Sequence, residues 1–369
     1  MRTASSLTAA FAIAVIAIWL TACAGKSENG PTILAEMDAG RVKTGSLDPR
    51  LEALGTEDPI LLPYRGPGSG GIAYRLTLEV EGERTARKSR GNKQQPPVRE
   101  AHALEAEFRK LPVDSAESGD IMFLVGLDRL LYTQKQQNPP SDRKIEIAED
   151  RLRIMINGET SVDNRGNRVI GLLAPRMFLN RIFGVVTLDP NGNPTKLSSR
   201  GAPAARELMN EIPIFGAIAY VMVSLPQDPI TPGSRWTGVR IPPSRSGELG
   251  LSLTINYTLA GFEIFDNVPC AMILLNARIS ENAVTGLTGL KFNRVQATLN
   301  GTAWVELENS LVRRVVLSDQ ISASWLGPGD PETATEYRIQ HASKLELALR
   351  DPNQKSKKWS DGTPRFDSR

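Results

Sequence analysis

Residues 72–81 read Ile-Ala-Tyr-Arg-Leu-Thr-Leu-Glu-Val-Glu, and their alternation decides the fold class. Ile72, Tyr74, Leu76, Leu78 and Val80 fall on one side of an extended chain, with Arg75, Thr77, Glu79 and Glu81 on the other. A period of two marks a strand with one buried face and one wet face. The pattern recurs at Leu104-Ala106-Phe108, Ile145-Ile147 and Leu152-Ile154-Ile156. It continues at Leu249 through Leu259, at Val295-Ala297-Leu299, at Ile321-Ala323-Trp325, at Tyr337-Ile339 and at Leu345-Leu347-Leu349. Long strands with a solvated face belong to antiparallel sheet, because parallel strands are covered on both sides.

One stretch departs from this period. Ala202-Pro203 leads into Ala-Ala-Arg-Glu-Leu-Met-Asn-Glu-Ile, which places proline in the first turn of a helix. After Pro213 come twelve residues without a charge, 214–225. This run reads either as a buried core helix or strand, or as a helix lining or plugging an apolar cavity in a curved sheet. On the second reading Ile214, Phe215, Tyr220 and Val223 are the cavity candidates. The main helical region is expected near residues 203–224.

Two strand–turn–strand units are similar to each other. Phe183-Gly-Val-Val-Thr-Leu-Asp-Pro-Asn-Gly-Asn193 leads to a strand at 194–197, and Gly301-Thr-Ala-Trp-Val-Glu-Leu-Glu-Asn-Ser310 leads to one at 311–317. They are either a duplication with halves at 72–200 and 234–350, or two ordinary hairpins.

The N-terminus carries a different signal. Arg2 precedes an apolar run at 7–20, and Leu20-Thr21-Ala22-Cys23 closes it with small residues before a cysteine. The run is short of the roughly 20 residues needed to span a bilayer and suits a cleaved signal peptide. Leu20-Thr21-Ala22-Cys23 resembles the lipobox of bacterial lipoproteins, which implies lipidation at Cys23 and a membrane anchor. Acyl chains contribute about 0.8 kcal/mol per buried methylene. Ala24 follows the cysteine where inner-membrane lipoproteins carry Asp, so the resemblance implies the outer membrane facing the periplasm, with the cell surface as the alternative.

Removing residues 1–22 from 369 leaves 347, enough for a large core. Formal charge then falls from +3 to +2, which offers no basis for nucleic-acid binding. With Cys23 lipidated, Cys270 has no partner for an internal disulfide. Residues 23–71, rich in Pro and Gly, read as the lipidated cysteine and a flexible linker, and 351–369 as a disordered tail.

The lipobox, the long antiparallel strands and the 301–319 pattern together resemble β-rich bacterial lipoproteins built on an incomplete barrel, the group of the lipoprotein carrier and its receptor. The segment with Leu225-Pro226, Pro229-Ile230 and Gly233-Ser-Arg-Trp236 also looks like a connector in such proteins. The resemblance covers residues 72–350 and implies a curved sheet around helices, with acyl chains on its concave face. The expected fold is mainly β (α+β): a large curved antiparallel sheet or incomplete β-barrel with one main helical region, after a disordered N-terminal tether.

Catalytic motifs are absent from the sequence. His341 shares a strand side with Tyr337, Ile339 and Leu345, as a core or cavity histidine would, while His102 sits in a polar approach to a strand and reads as surface. There is no Gly-x-Ser-x-Gly elbow, no His-Glu-x-x-His and no paired cysteine, so neither a triad nor a zinc site is expected, and no cofactor. Asp189-Pro-Asn-Gly-Asn193 lacks the ligand spacing of a calcium loop and suits a hairpin turn. Cys270 opens an apolar strand and is expected to be buried. A hydrolase using Glu306 and Asp319 has no spacing to support it.

Six basic residues crowd 83–99, among them Arg84, Arg87, Lys88, Arg90 and Lys93. They form either a solvated loop or a contact for anionic lipid headgroups or cell-wall polymer, worth on the order of 1 kcal/mol per charge. The sequence therefore supports a non-catalytic envelope lipoprotein. It would bind a lipid, an acyl chain or an envelope protein on its sheet, with an assembly factor as the alternative.

Overall fold

The computed structural model describes residues 59–62, 71–88, 95–112, 121–148, 151–163, 182–199, 211–242, 251–285, 290–327 and 334–350. The apolar run at 7–20, Cys23, Arg90, Lys93 and residues 351–369 lie outside them.

The first half contributes β1 (Ile72–Lys88), β2 (Val98–Pro112), β3 (Ile121–Gln137), β4 (Ser141–Ala148), β5 (Arg151–Ile156), β6 (Glu159–Asp163), β7 (Ile182–Leu188) and β8 (Pro194–Ser199). A short helix, α1 (Ile214–Tyr220), follows. The second half contributes β9 (Arg235–Arg240), β10 (Leu253–Phe265), β11 (Val268–Thr285), β12 (Lys291–Glu306), β13 (Val312–Leu326) and β14 (Thr335–Leu349). All fourteen strands form one sheet in the order β6-β5-β4-β3-β2-β1-β14-β13-β12-β11-β10-β9, with β7 and β8 added beside β3. Every pairing is antiparallel, and β1 on β14 joins the halves over the register Tyr74↔Leu349 to Lys88↔Thr335.

Strand β3 forks the sheet. Its first part, from Ile121 to Gly126, pairs with β7, and its second, from Leu130 to Gln136, pairs with β4. Between them a bulge sets Leu127 opposite Phe108 and Arg129 opposite Glu107, so Asp128 is the extra residue. The buried set changes parity there, from Phe123, Val125 and Leu127 to Leu130 and Tyr132. Alternation therefore fails across β3, and the strand was not expected from its sequence.

Apolar side chains point to one face. Leu76, Leu78, Leu345, Leu347, Leu317, Leu299, Ile273 and Ile255 are buried there, while Thr254, Asn256, Arg294, Gln296, Arg338 and Lys344 are exposed on the other face. Cross-strand ion pairs dress the wet face, Arg75 with Glu105 and Arg314 with Glu346. A membrane-spanning barrel has the reverse arrangement, apolar outward.

The sheet curls until its ends touch. Nine strand steps separate β7 from β9, which would hold them roughly 40 Å apart in a flat sheet. Instead Asn193, in the β7–β8 turn, accepts a hydrogen bond of 3.0 Å from Arg240 at the end of β9. Among the described residues no backbone ladder joins β9 to β7 or β8, so the sheet stays open.

Two expectations are corrected, and a third falls partly outside the described residues. Of the helical region expected near 203–224, residues 203–210 lie outside the described set, Glu211 is helical and α1 covers Ile214–Tyr220. The Val221 N–H still bonds Ala217 O at 3.2 Å, and 223–225 continue without helical bonding. The flexible linker does not extend unbroken to residue 71, since Ile60 and Ile230 exchange backbone hydrogen bonds of 2.9 and 2.8 Å and Leu62 is fully buried. The basic run is not a loop from Glu83 onward, because β1 continues to Lys88. There strand alternation sends Arg84 to the inner face and Arg87 to the outer one, so the two do not form one patch.

Candidate functional site

The inner face is covered by α1 and the non-repetitive residues after it. Pro213 precedes the helix, and its carbonyl accepts the first bond, from Ala217 N–H at 2.9 Å. Ile214, Ala217, Ile218 and Tyr220 are buried, and so is every residue from Val221 to Leu225. Three of the cavity candidates, Ile214, Tyr220 and Val223, thus come together in the core, with Phe215 half-buried against it. Phe215 takes the place of a missing side chain in β7: a methyl group on Gly184 would overlap its ring.

Tyr220 ties the helix to the sheet. Its hydroxyl donates to Asp319 Oδ2 at 2.6 Å, and His341 Nε2 stands 3.3 Å from Asp319 Oδ1. The Asp319 and His341 side chains are 1% and 2% exposed. Burial and the neighbouring Asp319 carboxylate push the Tyr220 phenol well above its ordinary range, so it remains a donor. Tyr257, stacked on Trp236 at 5.7 Å, faces the same interior, and its hydroxyl has no hydrogen-bond partner among the described residues.

A second polar cluster closes the curl. Arg240, 2% exposed, donates to Met222 O from Nε at 2.9 Å and from Nη2 at 2.6 Å. It also donates to Ser224 Oγ at 2.8 Å. Ser224 donates to Asn193 Oδ1 at 2.7 Å, and Trp236 Nε1–H donates to Ser224 O at 2.7 Å. Asp189 orients Asn193 by accepting from its amide at 2.8 Å, as expected of a hairpin turn with Gly192 at φ 81°. Gly238 leaves the room this cluster needs, since a Cβ there would overlap Ser224 Oγ and lie 2.8 Å from Asn193 Oδ1.

The remaining candidates separate. His102 is mid-strand in β2 rather than on a polar approach, half-buried, with Nδ1 2.7 Å from the Tyr132 hydroxyl. Cys270 is fully buried, and desolvation pushes its thiol up to about 11, which makes it a poor nucleophile. Glu306 is held by Asn309 at 2.9 Å and Arg313 at 3.3 Å. Lys110, which sequence reasoning passed over, is buried on the inner face with its ammonium 4.8 Å from the Tyr74 ring centre and 5.0 Å from that of Phe123. The parity of Phe108 was its signal. Among the described residues no group of three His, Cys, Asp or Glu side chains is arranged to hold a metal ion, and no helix is long and apolar enough to cross a membrane.

No family model and no curated protein matches this chain. Among solved structures it is similar to one of lipid–protein interactions in lipovitellin, at 8% identity and a TM-score of 0.33 over 80% of this chain. The match spans 27% of the lipovitellin chain, so the present chain corresponds to little more than a quarter of it. It is also similar to OpdQ of Pseudomonas aeruginosa, with 6% identity, TM-score 0.16, and 74% and 98% of the two chains covered. OccK7 (OpdD) of the same organism gives 8%, 0.15, 75% and 99%. The likeness is that of a large antiparallel sheet.

Proposed function

We propose that the protein is a non-catalytic, membrane-tethered carrier or receptor that holds an acyl chain or lipid against the inner face of its curled sheet. The orientation of the sheet carries this reading: among the described residues, apolar side chains face inward and charged ones outward, around the seven-residue helix α1. A helix that short has little stability of its own and depends on its contacts with the sheet. It is the part of the core that can yield to an apolar guest. The Leu20-Thr21-Ala22-Cys23 sequence supports anchoring through Cys23, at the outer membrane and facing the periplasm.

No chemical step is assigned. Asp319, the carboxylate considered for hydrolysis, is buried and engaged by Tyr220, and Glu306 is paired with Arg313.

Native mass spectrometry of the full chain tests the reading. The expected result is a mass excess of one bound lipid, or uptake of added fatty acid or phospholipid at one equivalent. A clean mass that takes up neither would overturn it.

One observation favours docking of an envelope protein instead. Val239 and Ile241 are 52% and 45% exposed on and beside the edge strand β9, and an open apolar edge can accept another strand. A lipid-free protein that co-purifies with a partner lost on Val239→Lys substitution would select that reading.

A further inference from the structure

Among the described residues Lys110 is the one lysine that is buried, 6% exposed on the inner side of β2 in step with Ala106 and Phe108. Among the described residues no carboxylate stands within ion-pair distance of it and no hydrogen bond of its ammonium is found. The Tyr74 and Phe123 rings flank it instead. Aromatic faces attract a cation, but less than water does, so the charged form is left short of compensation. An anion placed beside it supplies what the protein does not.

Its neighbours limit what that anion is. The register places Lys110 between Ile72 and Val125, and Val125 opposite Gly184, on which the Phe215 ring rests. The row therefore runs from one ammonium past Val125 and Gly184 to the Phe215 ring at the start of α1. Arg109 points to the other face and pairs with Asp128 at 2.8 Å. One cation set among apolar neighbours suits a single negative charge on a long hydrocarbon.

We infer that Lys110 anchors the carboxylate of a fatty acid whose chain lies along the inner face toward Phe215. This rests on the apolar-ligand reading above and specifies the chemistry of its head.

Isothermal titration of the full chain with oleate, oleyl alcohol and acetate tests it, using the wild type, Lys110→Met and Lys110→Arg. The expected result is tighter binding of oleate than of oleyl alcohol by wild type. Lys110→Met should lose about tenfold in oleate affinity, keep that for oleyl alcohol within about twofold, and leave thermal unfolding cooperative; Lys110→Arg should recover part of the oleate affinity. Oleate affinity unchanged in a folded Lys110→Met, with the wild type binding both oleyl ligands, would overturn the anchor and leave the apolar-ligand reading standing. A wild type that binds neither oleyl ligand would overturn that reading and the anchor with it. Acetate binding as tightly as oleate would overturn the inference in favour of a free-anion site.

Discussion

The hydroxyl of Tyr220 donates to Asp319 Oδ2 across 2.6 Å, joining α1 to β13 between residues 99 apart in sequence. Both side chains are buried, so the bond is shielded from water, and it fixes the end of the short helix in addition to its apolar contacts.

Tyr220→Phe keeps the ring and removes that donor, leaving Asp319 with His341 alone. The expected loss is about 1–3 kcal/mol of unfolding free energy, read by urea denaturation at constant m. A loss below about 0.5 kcal/mol would show that α1 does not rely on this bond.

The Asn193–Ser224–Arg240 cluster should behave as a latch between the ends of the sheet. Arg240→Met strips donors from Met222 O and Asn193 Oδ1 and should cost on the order of 3 kcal/mol. Gly238→Ala should cost about 1–3 kcal/mol by forcing Ser224 and Asn193 away. Gly82→Ala is the control, because its nearest contacts would be ordinary ones at 3.6 Å and it should be nearly neutral. Equal effects of the two glycine substitutions would contradict the latch.

Strand content was legible from residues such as Leu76, Leu78, Leu345 and Leu347, whose alternation the burial follows directly. Strand β3 was not, since the bulge at Asp128 shifts parity in mid-strand and turns alternation into an apparent apolar run. The apolar character of 214–225 was plain, but its division into seven helical residues and a non-repetitive remainder involves β9, whose Arg240 and Trp236 bond the carbonyls of Met222 and Ser224. Arg240 and Asn193 carry no local signal of partnership, being 47 residues apart and joined only when the sheet curls. Lys110 drew no reading from the sequence, although its parity with Ala106 and Phe108 on β2 places it on the inner face.

Lys110 also makes a pH prediction. Burial lowers its pKa from 10.5 to about 7, so below pH 7 both folded and unfolded chains carry the proton and the cost of burying it is fully present. Between pH 7 and 10.5 the unfolded chain holds a proton that the folded one lacks, and stability contributed by this group rises with pH. Lys110→Met should therefore stabilise the ligand-free protein by a few kcal/mol at pH 6, and by much less near pH 10. A gain independent of pH would show that the ammonium is solvated in the folded state.

The two cysteines should differ in chemistry. Cys23→Ser is expected to abolish incorporation of a palmitate analogue, and equal labelling of wild type and variant would remove the basis for the anchor. Cys270, buried and with its thiol near 11, should react with a maleimide only after denaturation.

Gly184 and Phe215 offer the sharpest test of how α1 sits on the sheet. Gly184→Ala places a methyl group where the Phe215 ring lies, and overpacking of this kind costs about 1–3 kcal/mol. Phe215→Ala removes the ring and should cost about 3 kcal/mol through lost burial, less if the half-exposed site collapses. Because each substitution relieves part of the other's defect, the double variant should be more stable than the sum of the two losses implies, by at least about 1 kcal/mol. Strict additivity would mean that the ring and the glycine do not share space, and that the first turn of α1 lies elsewhere on the inner face. The same pair also bears on ligand entry. If an acyl chain displaces the start of α1, Phe215→Ala should bind oleate more tightly than wild type does, because the guest no longer has to move the ring. Weaker binding by a folded Phe215→Ala would make Phe215 part of the ligand's own wall instead.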